Sequence, residues 1–166
     1  MDEVLLDNIA FDIDVPHLIG RLRVAPESED ADRIRTFAAE ALAVGKPKGL
    51  YRVVFIDERG DDFVVVGGVK FTSRVLKANL ASAHRVFAYL ATCGRELEDW
   101  SAEYTDVFDR FIADSIKEIA LRAGLAALGE HMSTHANPGT TASMNPGSLN
   151  DWPISEQKKL FELLGR

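Results

Sequence analysis

Four groups of residues have the types and spacing to do chemistry. His131 and His135 stand four apart, which on a helix would put both imidazoles on one face, as metal ligands require. No Cys or Glu nearby completes the ligand set, so two exposed histidines near a helix C-terminus is the favoured reading. Cys93, in "ATCGRELEDW", sits where a buried strand gives way to a helix. A thiol at a helix N-terminus can be reactive, and a small apolar filler is the commoner alternative. Thr92, Cys93 and Gly94 together also make a strand-to-helix corner whose amides could hold an anion, and the corner is preferred to the thiol. Asp114 and Glu118, one helical turn apart, could receive an ammonium or sulfonium; a solvated helix face is the more frequent meaning of that spacing. The fourth group is "NPGSLNDWP", Asn145–Pro153. Pro146-Gly147 is a strong turn dipeptide, Asn145 and Asn150 can bond neighbouring backbone, and Ser148 offers a hydroxyl. Leu149 and Trp152 provide apolar anchors, so the loop can be rigid and aim amides at a ligand with little ordering cost. Residue chemistry alone leaves it evenly divided between a structural turn and a binding loop.

The elements that must position these groups follow from periodicity. "EVLLDNIAFDID" reads as one or two short strands, and "VPHLIGRLRV" as a short helix entered at Pro16. "PESEDADRIRTFAAEALAVGKPKG" is a helix capped by Ser28 or Asp30 and stopped by Gly45 and Pro47. "GLYRVVFIDERGDDFVVVGGVKF" reads as a hairpin turning at Gly60, followed by a short helix with Thr72 or Ser73 as cap, then the buried strand "HRVFAYLAT". From Cys93 to Ser133 the chain is strongly helical, with a break near Thr105 and Asp106 and an apolar stripe that includes Phe108, Phe111, Ile112 and Ile116. "THANPGTTASMNPGSLNDWP" is a loop of roughly twenty residues, a length that in a compact domain points to function or disorder. A last helix over "ISEQKKLFELLG", capped at Ser155, faces Ile154, Leu160, Phe161 and Leu164 inward. This order predicts an α+β fold, a mixed or antiparallel sheet with helices packed on it.

Composition narrows the classes. The 166 residues suit one domain, 1–166, and the net charge of −7 argues against non-specific nucleic-acid binding and against docking on an anionic membrane. The lone cysteine and an acidic N-terminus without a basic segment point to a reducing cytoplasm. There is no P-loop, no GxGxxG after a strand, no HExxH, no CxxC and no GxSxG, which removes the strongest generic enzyme motifs.

"SMNPGSLNDWPISEQKKLFELLG" resembles the C-terminal pattern of the activation-domain family of cobalamin-dependent methionine synthase, above all its small stand-alone, corrinoid-associated members. "VGGVKFTSRVLKANLASAHRVFAYLATCGRELEDW" is similar to the family's run of small helix, buried strand, Thr-x-Gly corner and long helix, and "FIADSIKEIALRAGLAALGEHM" to the helix that follows. The resemblance spans about residues 62–165 and implies an activation-domain-like fold lacking the usual C-terminal extension. It also implies an accessory role in the reductive reactivation and methylation of a corrinoid held by a partner methyltransferase. An electron donor would take part, and S-adenosylmethionine would be the bound methyl donor. The alternative is a docking module for a corrinoid protein with no S-adenosylmethionine site. Carried across residue by residue, the cofactor contacts would be Asn145, Pro146, Gly147, Ser148, Leu149, Asp151 and Trp152, with Thr92 and Gly94 at the corner and Glu118 on the helix. Two positions depart from the family pattern. Ser143 stands where the methionine synthase domain has an arginine that would grip a carboxylate, and Ser148-Leu149 stand where it has Tyr-Pro after the glycine.

Overall fold

The computed structural model describes residues 3–7 and 9–166; Asn8, inside the first expected strand stretch, lies outside them, as do Met1 and Asp2. The fold is α+β, with five strands and six α-helices among the described residues. By its contacts the chain divides into two compact units, each assembled from separate segments.

One unit comprises Leu50–Leu90 and Asn137–Arg166 with Glu3 and Val4, and it contains most of the sheet. Strands β1 (Glu3–Leu6), β2 (Lys48–Arg59), β3 (Phe63–Val66) and β4 (Val69–Thr72) lie in that order, and β5 (Arg85–Thr92) pairs with β2. The β2–β3 and β3–β4 pairs are antiparallel; Val64 lies opposite Phe71, and the β2 register slips between Ile56 and Glu58. The expected hairpin is thus a three-strand meander. Gly67 and Gly68 adopt φ of 54° and 81°, a backbone that β-branched neighbours resist, and they split the second apolar run in two. The Asp57 carboxylate pins this turn by accepting from the Gly68 amide at 2.7 Å. Helix α3 (Arg74–Asn79) follows, capped by the Ser73 hydroxyl. The core joins Leu50, Val54, Val64, Val66, Phe71, Leu76 and Ala88 to Trp152, Leu163 and Leu164 from the C-terminal segment. That segment enters through a 3-10 turn, Ile154–Glu156, into α6 (Gln157–Leu163). Two expectations fail here. Ser155 lies inside the turn and makes no cap, and Ile154 is 64% exposed, because the 3-10 turn rotates it off the face that carries Leu160 and Leu164.

The other unit comprises Leu5–Gly49 and Ala91–Ala136. It packs α1 (Val15–Arg21), α2 (Glu29–Val44), α4 (Arg95–Ala102) and α5 (Val107–His135) around Leu18, Ile19, Ile34, Phe37, Leu97, Ile112 and Ile116. Helix α2 begins where its sequence says: the Ser28 hydroxyl accepts from Ala31 N, and Glu29, Asp30 and Asp32 fill the positive end of the dipole. The break near Thr105 is real, since Asp106 caps α5 by accepting from the amides of Phe108 and Asp109. Phe111, expected on the apolar stripe, is 56% exposed; it lies one position before Ile112 and so about 100° around the helix from the buried line. Residues 9–14 of the first strand stretch form no strand. Among the described residues no helix is long and apolar enough to cross a membrane.

Candidate functional site

The segment Asn145–Trp152 folds as a closed turn. The Asn145 carbonyl accepts from both the Ser148 amide (2.9 Å) and the Ser148 hydroxyl (2.6 Å), and the hydroxyl in turn accepts from Asn145 N. The Gly147 amide donates across the loop to the Trp152 carbonyl at 2.7 Å, and Trp152 N donates to the Leu149 carbonyl. Gly147 has φ of 90°, a conformation that favours glycine. Pro146 and Trp152 are buried, and the Trp152 ring meets the edge of Phe71 at 6.0 Å. Trp152 Nε1 is buried and has no hydrogen-bond partner among the described residues, so the indole serves here as apolar volume.

Asp151 connects the turn to the start of α3. Its carboxylate accepts from Ser73 Oγ (2.5 Å), Arg74 N (2.6 Å) and Val75 N (3.3 Å), so it completes the cap of α3 together with Ser73. These bonds, the Ser73 hydroxyl first, hold the carboxyl below the usual aspartate range, although partial desolvation opposes them. Ser143 donates to or accepts from the Tyr89 hydroxyl at 2.6 Å. The position that carries an arginine in the family pattern is therefore tied to β5.

Thr92, Gly94 and Glu118 belong to the helical unit. The corner is a close-packed joint. Gly94 has φ of 94°, and a Cβ there would lie 2.4 Å from the Lys46 carbonyl oxygen. The Gly94 amide is already bonded to Thr92 Oγ1 (3.1 Å). Glu96 and Glu98 occupy the first turn of α4, where an anion would otherwise sit. The Glu96 carboxyl is held low, first by a backbone amide bond and then by Lys48 and Lys46. Burial raises the Cys93 pKa, against the pull of Lys117, so the thiol is not activated. Glu118 has both carboxylate oxygens engaged, by Arg122 (2.8 Å) and Arg21 (2.7 Å), which lower its pKa in that order. Asp114 pairs with Lys117 at 3.0 Å. The acid pair is thus neutralised locally and leaves no bare negative site for a sulfonium.

Helix α5 runs through His135, so the two histidines do share a face, with rings stacked 4.0 Å apart at 15°. His135 Nδ1 faces the His131 carbonyl at 3.0 Å. Among the described residues no group of three or more His, Cys, Asp or Glu side chains could hold a metal ion. A shallow groove of about 390 Å³ lies elsewhere in the helical unit, lined by Val15, Pro16, Ile19, Pro26 and Arg35; none of the expected contact residues lines it.

Sequence reasoning missed Ser73, Arg85 and Tyr89 as partners of the loop region. Ser73 was legible as a cap, but its bond to a residue 78 positions away leaves no mark in either local pattern. No model of a known protein family and no curated protein matches the chain.

Proposed function

We propose that this protein is an accessory docking module for a corrinoid-dependent methyltransferase, contacting the corrinoid protein through the Asn145–Trp152 turn and its border. Two things support the reading: the sequence resemblance of that segment, and its rigidity. The rigidity carries most weight. Five internal bonds close the turn and the Asp151 carboxylate bolts it to α3, so its surface is presented in one shape and docking orders little chain. Ile154, 64% exposed beside Gly147, gives that surface an apolar contact point.

The donor set does not fit S-adenosylmethionine. The Gly147 and Ser148 amides are spent inside the turn, Asp151 is spent on α3, Glu118 is paired with two arginines, and Ser143 replaces the arginine that would hold the carboxylate. A second reading, in which the turn does bind S-adenosylmethionine and aids corrinoid remethylation, is favoured by the intact sequence "NPGSLNDWP". Calorimetry separates the two. The docking reading expects no heat with millimolar S-adenosylmethionine and measurable affinity for a methyltransferase corrinoid module loaded with Co(II) cobalamin. Ile154→Asp should weaken that affinity by about ten-fold without altering the fold. Heat with S-adenosylmethionine supports the second reading, and absence of both signals removes the corrinoid role.

A further inference from the structure

The stretch Asn137–Ser143 joins the end of α5 to the fixed turn, and the proposed function makes no use of it. Its far end is anchored: Met144 packs against the sheet-unit core and Pro146 is buried. Gly139 through Ser143 are all exposed. Gly139 has φ of 70° with nothing within 4 Å of where a Cβ would stand, and Asn137 adopts φ of 43°, a left-handed state that asparagine tolerates. Two side-chain bonds tie this stretch to β5. Arg85 Nη2 donates to the Asn137 carbonyl at 3.0 Å, and the Tyr89 hydroxyl bonds Ser143 Oγ at 2.6 Å. Residues 85, 87 and 89 of a strand point to one face, so the two ties flank Phe87, whose ring lies 5.4 Å from the Arg85 guanidinium.

We infer that Asn137–Ser143 is a latched strap. It swings as a unit between a closed state tied to the Arg85–Tyr89 face of β5 and an open state, with the Tyr89–Ser143 bond as its catch. Segments held by few buried contacts and a few exposed bonds open at low free energy, and this one leads directly into the rigid turn. The inference does not rest on the corrinoid reading.

A nitroxide attached to Thr141→Cys, in a Cys93→Ala background, reports the strap by its line shape. Ser143→Ala should raise the ratio of mobile to ordered signal by roughly two- to ten-fold, the worth of one hydrogen bond. Tyr89→Phe should do the same, and the double variant should exceed neither single one, because all three remove the same bond. Thermal unfolding checks that each variant folds; Ser143 is exposed, so its substitution decides the matter even if Tyr89→Phe perturbs the sheet. A label equally mobile with and without Ser143→Ala, or single effects that add in the double variant, would overturn the latch.

Discussion

Gly94 and Gly147 both adopt positive φ, yet alanine should cost very different amounts at the two sites. At Gly147 the added methyl would meet the Ile154 side chain at 3.5–3.6 Å, an ordinary contact, so only the backbone conformation is penalised. That penalty is about 1–2 kcal/mol, partly offset by the entropy alanine removes from the unfolded chain, leaving a net cost of about 1 kcal/mol. At Gly94, φ of 94° with ψ of 149° lies in a region kept by glycine, and the methyl would stand 2.4 Å from the Lys46 carbonyl oxygen. A backbone oxygen cannot swing aside as a side chain can. Conformational strain of about 1–3 kcal/mol and overpacking of similar size bring the cost to about 3–5 kcal/mol. The two tryptophans report each site separately. Trp152 accepts the Gly147 amide bond at its carbonyl, and Trp100 lies in α4, the helix that Gly94 begins. In single-tryptophan backgrounds, urea midpoints should fall by about 1 M for Gly147→Ala read at Trp152, given a slope near 1 kcal/mol/M. Gly94→Ala read at Trp100 should lower the midpoint by about 3 M or abolish the folded signal. Equal shifts at the two sites would refute the argument that the Lys46 approach, rather than φ, fixes Gly94.

Three further outcomes are expected. Because its bonds lower the Asp151 pKa in the folded state, the carboxylate stabilises the sheet unit above the unfolded value near pH 4. That contribution disappears as pH falls through the lower folded value, so Asp151→Asn should flatten the acid limb of stability read at Trp152. Tyr104 has its pKa pushed up to about 12, by burial first and then by its bond to Glu40 at 2.8 Å. Its contribution is full below about pH 10 and lost towards pH 12, and Glu40→Gln should lower the Tyr104 titration seen by phenolate absorbance. Arg52 Nη1 donates to the Leu163 carbonyl at 3.1 Å, at the end of α6. Arg52→Met should speed hydrogen exchange at Leu164 and Gly165 by about ten-fold or more while α2 amides keep their protection; equal acceleration in α2 would mean a global effect.

What could be read in advance was local. Ser28, Asp106 and Ser73 cap helices because a short acceptor side chain precedes an apolar-periodic run, and that information is contiguous. Helix α5 runs two residues past the helical stretch expected from sequence because Thr134 and His135 are weak helix formers. In the fold both are held by side-chain bonds to their own helix, Thr134 Oγ1 to the Glu130 carbonyl and His135 to that of His131. The Gly67-Gly68 pair was visible but read as part of one strand, since only the partner register shows that the chain reverses there. The candidate site suffered most. Asp151 with Ser73, Ser143 with Tyr89, and Gly94 with Lys46 are joined across long sequence separations, and each such pairing changes what the residue is free to do.

Those pairings bear on how a sequence pattern should be weighed. Each prominent residue of "NPGSLNDWP" has a structural task here. Pro146 and Gly147 set the turn, Ser148 closes it, Asp151 caps α3, and Trp152 fills the core against Phe71. A pattern can therefore persist because the fold needs it, whether or not a ligand is present. The residues that would mark a ligand are those with no folding task, and an arginine at position 143, as in the family that the sequence resembles, would be of that kind: an exposed cation on a strap contributes little to a core. Restoring it isolates the question. In the S143R variant the Tyr89 bond is lost, but the turn and the Asp151 cap are untouched. If only that guanidinium is missing, S-adenosylmethionine should bind the variant and not the parent. If the spent amides of Gly147 and Ser148 are the obstacle, neither protein will bind it, and the docking proposal then stands or falls on affinity for the corrinoid module.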